Sequence, residues 1–284
     1  MTEPQSHTIE APGAVLHYDV RDGDEPTLLL IGSPMAAPGF ATLASHFAAQ
    51  RVVTYDPRGS ERSLRTDGAA ENTVEEHADD LRRVIEAVGG PVDVFASSGG
   101  AVNALALVAR HPELVRTLVA HEPPSATALP ESETALKACK DIHETYLASG
   151  FGAGMAKFIA LVSHQGPITE AYLAQPAPDP AAFGLPTEDD GARDDALLGL
   201  NMVTCTGYRH DFDALRAAST RIVLGVGADS GETFAARTAE GVAQELGTAT
   251  VAFPGDHGGF LGGEYGQTGK PDEFAAKLLE VLES

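Results

Sequence analysis

The sequence predicts an α/β fold: a mostly parallel central sheet covered on both faces by helices and interrupted by a helical insertion. Three observations carry this. Short continuous apolar runs, the pattern of strands buried on both faces, recur along the chain. They alternate with helical patterns at both ends of the sequence, as strand–helix–strand units require. Between them lies a stretch, residues 123–219, with helical spacing and no strand pattern.

The elements follow in order. Leu16–Val20 and Thr27–Ile31 read as strands around the turn signal Asp22-Gly23-Asp24. Pro38–Ala49 reads as a helix and Arg51–Tyr55 as a strand. Val74–Val88 has apolar residues at helical spacing behind Thr73, an N-cap residue type, and Gly89-Gly90 ends it. Val92–Ala96 is a strand, Gly100–Arg110 a helix and Leu114–Ala120 a strand. After the insertion come strand Arg221–Val226, helix Glu232–Leu246, strand Thr248–Phe253 and helix Pro271–Leu282. The core is therefore 1–122 with 220–284, and 123–219 is a helical lid inserted into it. Within the lid, Gln175–Gly191 is rich in Pro, Ala and Asp and reads as a loop.

Composition bounds the function. The chain has 284 residues and is 43% apolar, enough for a substantial core. Trp is absent, so aliphatic residues and Ala supply most of the packing. The formal charge of -22, from 41 acidic against 19 basic residues, repels nucleic acid and anionic membranes. The expected partner is a small molecule, with neither nucleic acid nor membrane. The two cysteines, Cys139 and Cys205, lack metal-ligand or CxxC spacing and read as free buried thiols. The polar N-terminus has no signal-peptide pattern, and no apolar run reaches the about 18 residues of a membrane span. A cytoplasmic location is the expectation. The sequence carries no signal of oligomeric state.

One turn carries chemistry. Ala96-Ser97-Ser98-Gly99-Gly100 joins a strand to a helix and places a serine among small residues, close to the G-x-S-x-G nucleophile elbow. Such a turn pushes the serine Oγ outward, and bulky neighbours would collide with adjacent strands. Centring the motif on Ser98 puts Ala96 and Gly100 at the small positions. Centring it on Ser97 would put Phe95 at one of them, so Ser98 is the candidate nucleophile. The helix that starts here also aims N–H groups at developing negative charge.

Three further segments fit the same template: Gly32-Ser33-Pro34-Met35 after one strand, Asp56-Pro57-Arg58-Gly59 after another, and Gly255-Asp256-His257-Gly258-Gly259 near the end. With the elbow, their order and spacing resemble the α/β-hydrolase superfamily over nearly the whole chain outside the insertion. The resemblance implies that His257 is the general base, for which its pKa range suits it. It implies that the N–H groups of Ser33 and Gly99 form an oxyanion hole, although Ile31 stands where the family's H-G-x-P segment has His. It makes Asp56-Pro57-Arg58-Gly59 a structural turn.

The carboxylate that orients His257 has two candidates. Asp229 follows the strand where the family usually keeps its acid, one residue short of the G-x-x-D spacing, whose place Ser230 occupies. Glu122 follows the earlier strand, where some family members, including a branch of the haloalkane dehalogenases, carry a catalytic Glu. Both stay open. Ser at the elbow argues against dehalogenase and epoxide-hydrolase chemistry, which use Asp there. No phosphate-loop or dinucleotide fingerprint is present, and the remaining histidines show no HExxH spacing. The expectation is a cofactor-free, metal-free serine hydrolase cleaving an ester, lactone or related carbonyl substrate. The alternatives are a haloperoxidase-like perhydrolase with the same residues, or a non-catalytic binding protein on this scaffold.

Overall fold

A computed structural model describes residues 3–284. Its sheet has eight strands: β1 (Gln5–Ala11), β2 (Ala14–Arg21), β3 (Asp24–Ile31), β4 (Gln50–Tyr55), β5 (Val92–Ser97), β6 (Val115–His121), β7 (Arg221–Gly227) and β8 (Val251–Phe253). Their order is β1-β2-β4-β3-β5-β6-β7-β8. β1 and β2 pair antiparallel, as do β2 and β4, and the other pairs are parallel. β3 and β5 sit in the middle, with Leu29 beside both Val53 and Val94. That position explains the apolar runs of their sequences. Leu29, Ile31, Val94 and Ala96 join the core on one face, while Leu28, Leu30 and Phe95 join the core on the other.

The helices are α1 (Ala41–His46), α2 (Val74–Val88), α3 (Gly99–Arg110), α4 (Ser132–Ser163), α5 (Glu170–Leu173), α6 (Met202–Thr206), α7 (Phe212–Ala217), α8 (Phe234–Leu246) and α9 (Pro271–Glu283). α2, α3 and α8 cover one face through Leu81, Val84, Leu105 and Val242. α1 and α9 cover the other through Leu43, Phe274 and Leu278. Thr73 caps α2 as its residue type suggests: its Oγ1 accepts from the Glu76 N–H, and Glu76 returns the bond to the Thr73 N–H at 2.9 Å.

One strand has no counterpart in the sequence reading, and two local expectations are corrected. The polar residues Gln5–Ala11 form an edge strand, pairing in register with β2 from Gln5↔Val20 to Ala11↔Ala14. An exposed edge strand has no buried face, so it leaves no apolar pattern to read. The segment predicted as one helix from Pro38 to Ala49 is a 3₁₀ turn, Ala37–Phe40, followed by the short α1. The strand predicted from Thr248 begins at Val251.

Between β6 and β7 the described chain contains helices and no strand. These helices have their own apolar cluster, including Ala135, Ile142, Tyr146, Leu161, Leu198 and Met202, and it meets the core at Phe234 of α8. α4 is 32 residues long, and one window of it has mean hydropathy 1.3, so by length and composition it could cross a membrane. Sequence reading found no such run. The helix breaks at Gly150, whose φ of 84° favours glycine, and its Ala135, Ile142 and Tyr146 side chains lie buried in the cluster. Residues Ala196–Asn201 form a π-helical turn leading into α6. That turn is tied to the core by Asn201 Oδ1, 2.8 Å from His77 Nε2 on α2, and by the Asn72 N–H donating to the Leu200 carbonyl.

Candidate active site

The turn between β5 and α3 is built by close approach. Ser98 stands at φ 55° and ψ -128°, a conformation that costs a non-glycine residue about 1–3 kcal/mol. Its N–H donates to the His121 carbonyl at 3.0 Å and its carbonyl accepts from the Ala101 N–H at 2.9 Å, so the strain is held from both sides. The small residues after it are required by the chain packed opposite. A Cβ on Gly99 would collide with the Ser33 carbonyl oxygen, and one on Gly100 would stand 2.8 Å from Gly32 Cα and the Ile31 carbonyl. Ser97 is buried in the sheet opposite His121, whereas Ser98 is partly exposed to a cavity of about 610 Å³. Ser33, Gly99 and His257 line the same cavity. Gly99 is the first residue of α3, so its N–H has no carbonyl to bind within the helix.

Glu122 follows β6 with φ 49°, and its N–H donates to the Gly225 carbonyl. Its side chain is fully buried. Oε1 accepts from the Gly227 N–H at 2.9 Å, and Oε2 lies 2.6 Å from His257 Nδ1. Burial alone would raise this carboxyl's pKa, but the hydrogen bond and charge of His257 outweigh it and hold the group down at about 2. An ionised carboxylate only accepts, so Nδ1 carries the proton of this bond. His257 is about half exposed, at 46% of its side chain. Ser98 Oγ and His257 Nε2 are not joined by a hydrogen bond in this arrangement. Such bonds commonly tighten only when substrate arrives.

Asp229 does not reach His257. Its carboxylate takes Lys270 Nζ at 2.6 Å, both side chains are about half exposed, and it lies at the cavity wall. Of the two candidate acids, the fold thus brings Glu122 to the imidazole and gives Asp229 to a surface ion pair. Ser230, at the family's usual acid position, is buried beside Gly227.

His121, one of the histidines without ligand spacing in the sequence, packs directly beside the site. The ring is fully buried and neither nitrogen has a hydrogen-bond partner. Phe95, Phe253, Phe260 and Phe274 surround it, and its centroid is 6.1 Å from that of His257. Burial pushes its pKa down to about 4, so it is neutral near pH 7. One donor atom each from His121, Glu122 and His257 lie within 4.8 Å of one another, close enough for these residues to hold a metal ion if His257 Nδ1 released Glu122. Nothing in the spacing of residues 121, 122 and 257 signals this grouping, because β6 and the loop after β8 meet only in the folded sheet.

The Asp56 turn supports the neighbouring loops. The buried Asp56 carboxylate accepts from the Ala37 N–H at 3.1 Å and from Arg62 Nε at 2.6 Å. Arg58, buried, makes two 2.6 Å bonds to Asp80 and a third to Glu76 on α2. These bonds tie the chain that follows Ser33 to β4 and α2.

Comparison with known proteins agrees with this architecture. The family model described as "alpha/beta hydrolase fold" matches residues 26–169, just over half of the chain. An uncharacterized hydrolase, YraK, of Bacillus subtilis (strain 168) is 32% identical over 283 residues, covering 97% of this chain and 95% of its own. Among solved structures, a thermophilic esterase from Thermogutta terrifontis superposes with TM-score 0.67 at 19% identity, covering 99% of this chain and 98% of its own. The carboxylesterase CesB (YbfK) from Bacillus subtilis superposes with TM-score 0.64 at 16% identity, covering 99% and 92%. At those identities the structures share the fold alone, while the family model and the sequence relative place the chain itself: it belongs to the alpha/beta hydrolase fold family.

Proposed function

We propose that this protein is a serine hydrolase that cleaves a carboxylic ester, lactone or related carbonyl compound through an acyl-enzyme. One observation carries the reading. A serine on a strained strand-to-helix turn shares a cavity with an imidazole whose far nitrogen is held by a buried, ionised carboxylate. In the proposed reaction His257 Nε2 takes the proton from Ser98 Oγ as the oxygen attacks the substrate carbonyl. The N–H groups of Ser33 and Gly99 receive the oxyanion, and each such donor typically contributes about 2.7–4 kcal/mol of barrier lowering. Glu122 holds the ring in the required tautomer and stabilises its cation. His257 then protonates the leaving group, and water activated by the same nitrogen releases the acid and restores Ser98. The helices between β6 and β7 serve as a lid, since Phe158, Leu161, Leu197 and Met202 from them wall the cavity. The names of the esterase and carboxylesterase that share the fold support the choice of ester chemistry.

The test is covalent capture. A fluorophosphonate probe should add one label per chain, mapped by peptide mass to Ser98 and absent in Ser98→Ala. A folded protein that takes no label, or labels equally in the Ala variant, would overturn the proposal.

A further inference from the structure

The cavity's charge lining selects among carbonyl substrates. Phe158, Leu161, Leu197 and Met202 from the insertion line it with Phe234 of α8, beside uncharged polar residues such as Asn201, Thr206 and Gln267, so an acyl chain on Ser98 has apolar side chains to pack against. The charged side chains that line it are Asp229 and Asp256, both acidic. Neither Lys nor Arg lines it among the described residues. Lys270, which reaches a residue of the lining, is paired with Asp229 at 2.6 Å. Asp256 is sequence neighbour to His257 and stands at the same wall.

A carboxylate on the substrate would therefore lose its water in this cavity and find no cation in exchange. That is among the costliest burials a small ion can meet. It would also share the cavity with the exposed Asp256, a like charge whose repulsion adds to that cost and is weakened by solvent and salt. A neutral chain of the same length meets neither cost and gains by burial. From this lining we infer that the protein acts on uncharged carbonyl substrates with an apolar acyl group and rejects those whose acyl chain ends in a carboxylate. The inference rests on the serine-hydrolase reading and narrows its substrate class.

The experiment compares the 4-nitrophenyl ester of hexanoic acid with the mono-4-nitrophenyl ester of adipic acid, which has the same six-carbon acyl chain ending in a carboxylate. Both are run at 0.05 M and 0.5 M NaCl beside fluorophosphonate labelling. The neutral ester should lead by at least 100-fold in kcat/KM at both salt concentrations. Persistence at high salt matters, because repulsion by the chain's overall negative charge is screened there whereas desolvation inside the cavity is not. Val162→Lys, which adds a cation at a partly buried wall position, should cut the ratio at least tenfold. Esters cleaved within tenfold of one another, or a preference that vanishes in 0.5 M salt, would overturn the inference and leave the serine-hydrolase reading standing. So would Ser98 labelling with turnover of neither ester. Absence of both labelling and turnover would overturn the two together.

Discussion

Replacing Glu122 by Gln tests the proposed triad most directly, because both carboxylate oxygens are committed. Oε1 accepts from the Gly227 N–H and Oε2 from His257 Nδ1. A Gln side chain offers one acceptor and one NH₂. If the NH₂ faces His257, the imidazole must move its proton to Nε2, the nitrogen needed to receive the Ser98 proton. If it faces Gly227 instead, two donors confront each other in a buried site, at about 1–3 kcal/mol, and a neutral amide no longer balances the imidazolium. Either way kcat should fall by about 10³–10⁴, or about 4–5.5 kcal/mol of barrier. Asp229→Asn disturbs only a half-exposed pair with Lys270, and surface pairs contribute little, so kcat should stay within about threefold. The assay is steady-state hydrolysis of a 4-nitrophenyl ester, with thermal melting to show that each variant is folded. A Glu122→Gln enzyme within tenfold of wild type, or an Asp229→Asn enzyme equally impaired, would refute the assignment of Glu122.

Two predictions concern stability. Burial holds His77, His121 and His210 down at about 4, against about 6.5 in an unfolded chain. Between those values the unfolded state binds more protons, so stability rises with pH and is lost as pH falls from 6.5 toward 4. With three such groups the slope should approach about 4 kcal/mol per pH unit near pH 5. Glu122, held at about 2, loses its contribution only below its unfolded pKa near 4.5, so it leaves the upper part of that window unchanged. Urea unfolding from pH 4.5 to 7.5 reads the slope, and a flat profile would contradict the burial of neutral rings. Asp80→Ala removes the carboxylate that takes two bonds from Arg58 and leaves a buried guanidinium with the partly exposed Glu76 as its one carboxylate and the Pro12 carbonyl as a neutral acceptor. It should cost about 3–5 kcal/mol, and a loss below 1 kcal/mol in urea unfolding would show that the pair does not hold the turn.

The sequence by itself determined most of the architecture, because the relevant signals are local. Leu28–Ile31 and Val94–Ala96 are continuous apolar runs because both faces of the central strands are covered, and Thr73 with Glu76 writes a helix start within four residues. The turn around Ser98 is legible for the same reason: its glycines are neighbours in sequence, although the Ile31–Ser33 backbone that requires them lies far away. What crosses the sheet is not legible. Glu122 and Asp229 both stay open along the chain, and the tertiary structure separates them. β6 and β7 lie side by side, so the Gly227 N–H and His257 converge on Glu122, while the turn after Gly227 turns Asp229 outward to Lys270. His121 escaped for a related reason, since its burial among four phenyl rings is assembled from β5, the segment from β8 to Phe260, and α9. β1 escaped because an exposed edge strand is recognised by its partner's backbone, and backbone hydrogen bonds leave no mark on side-chain composition.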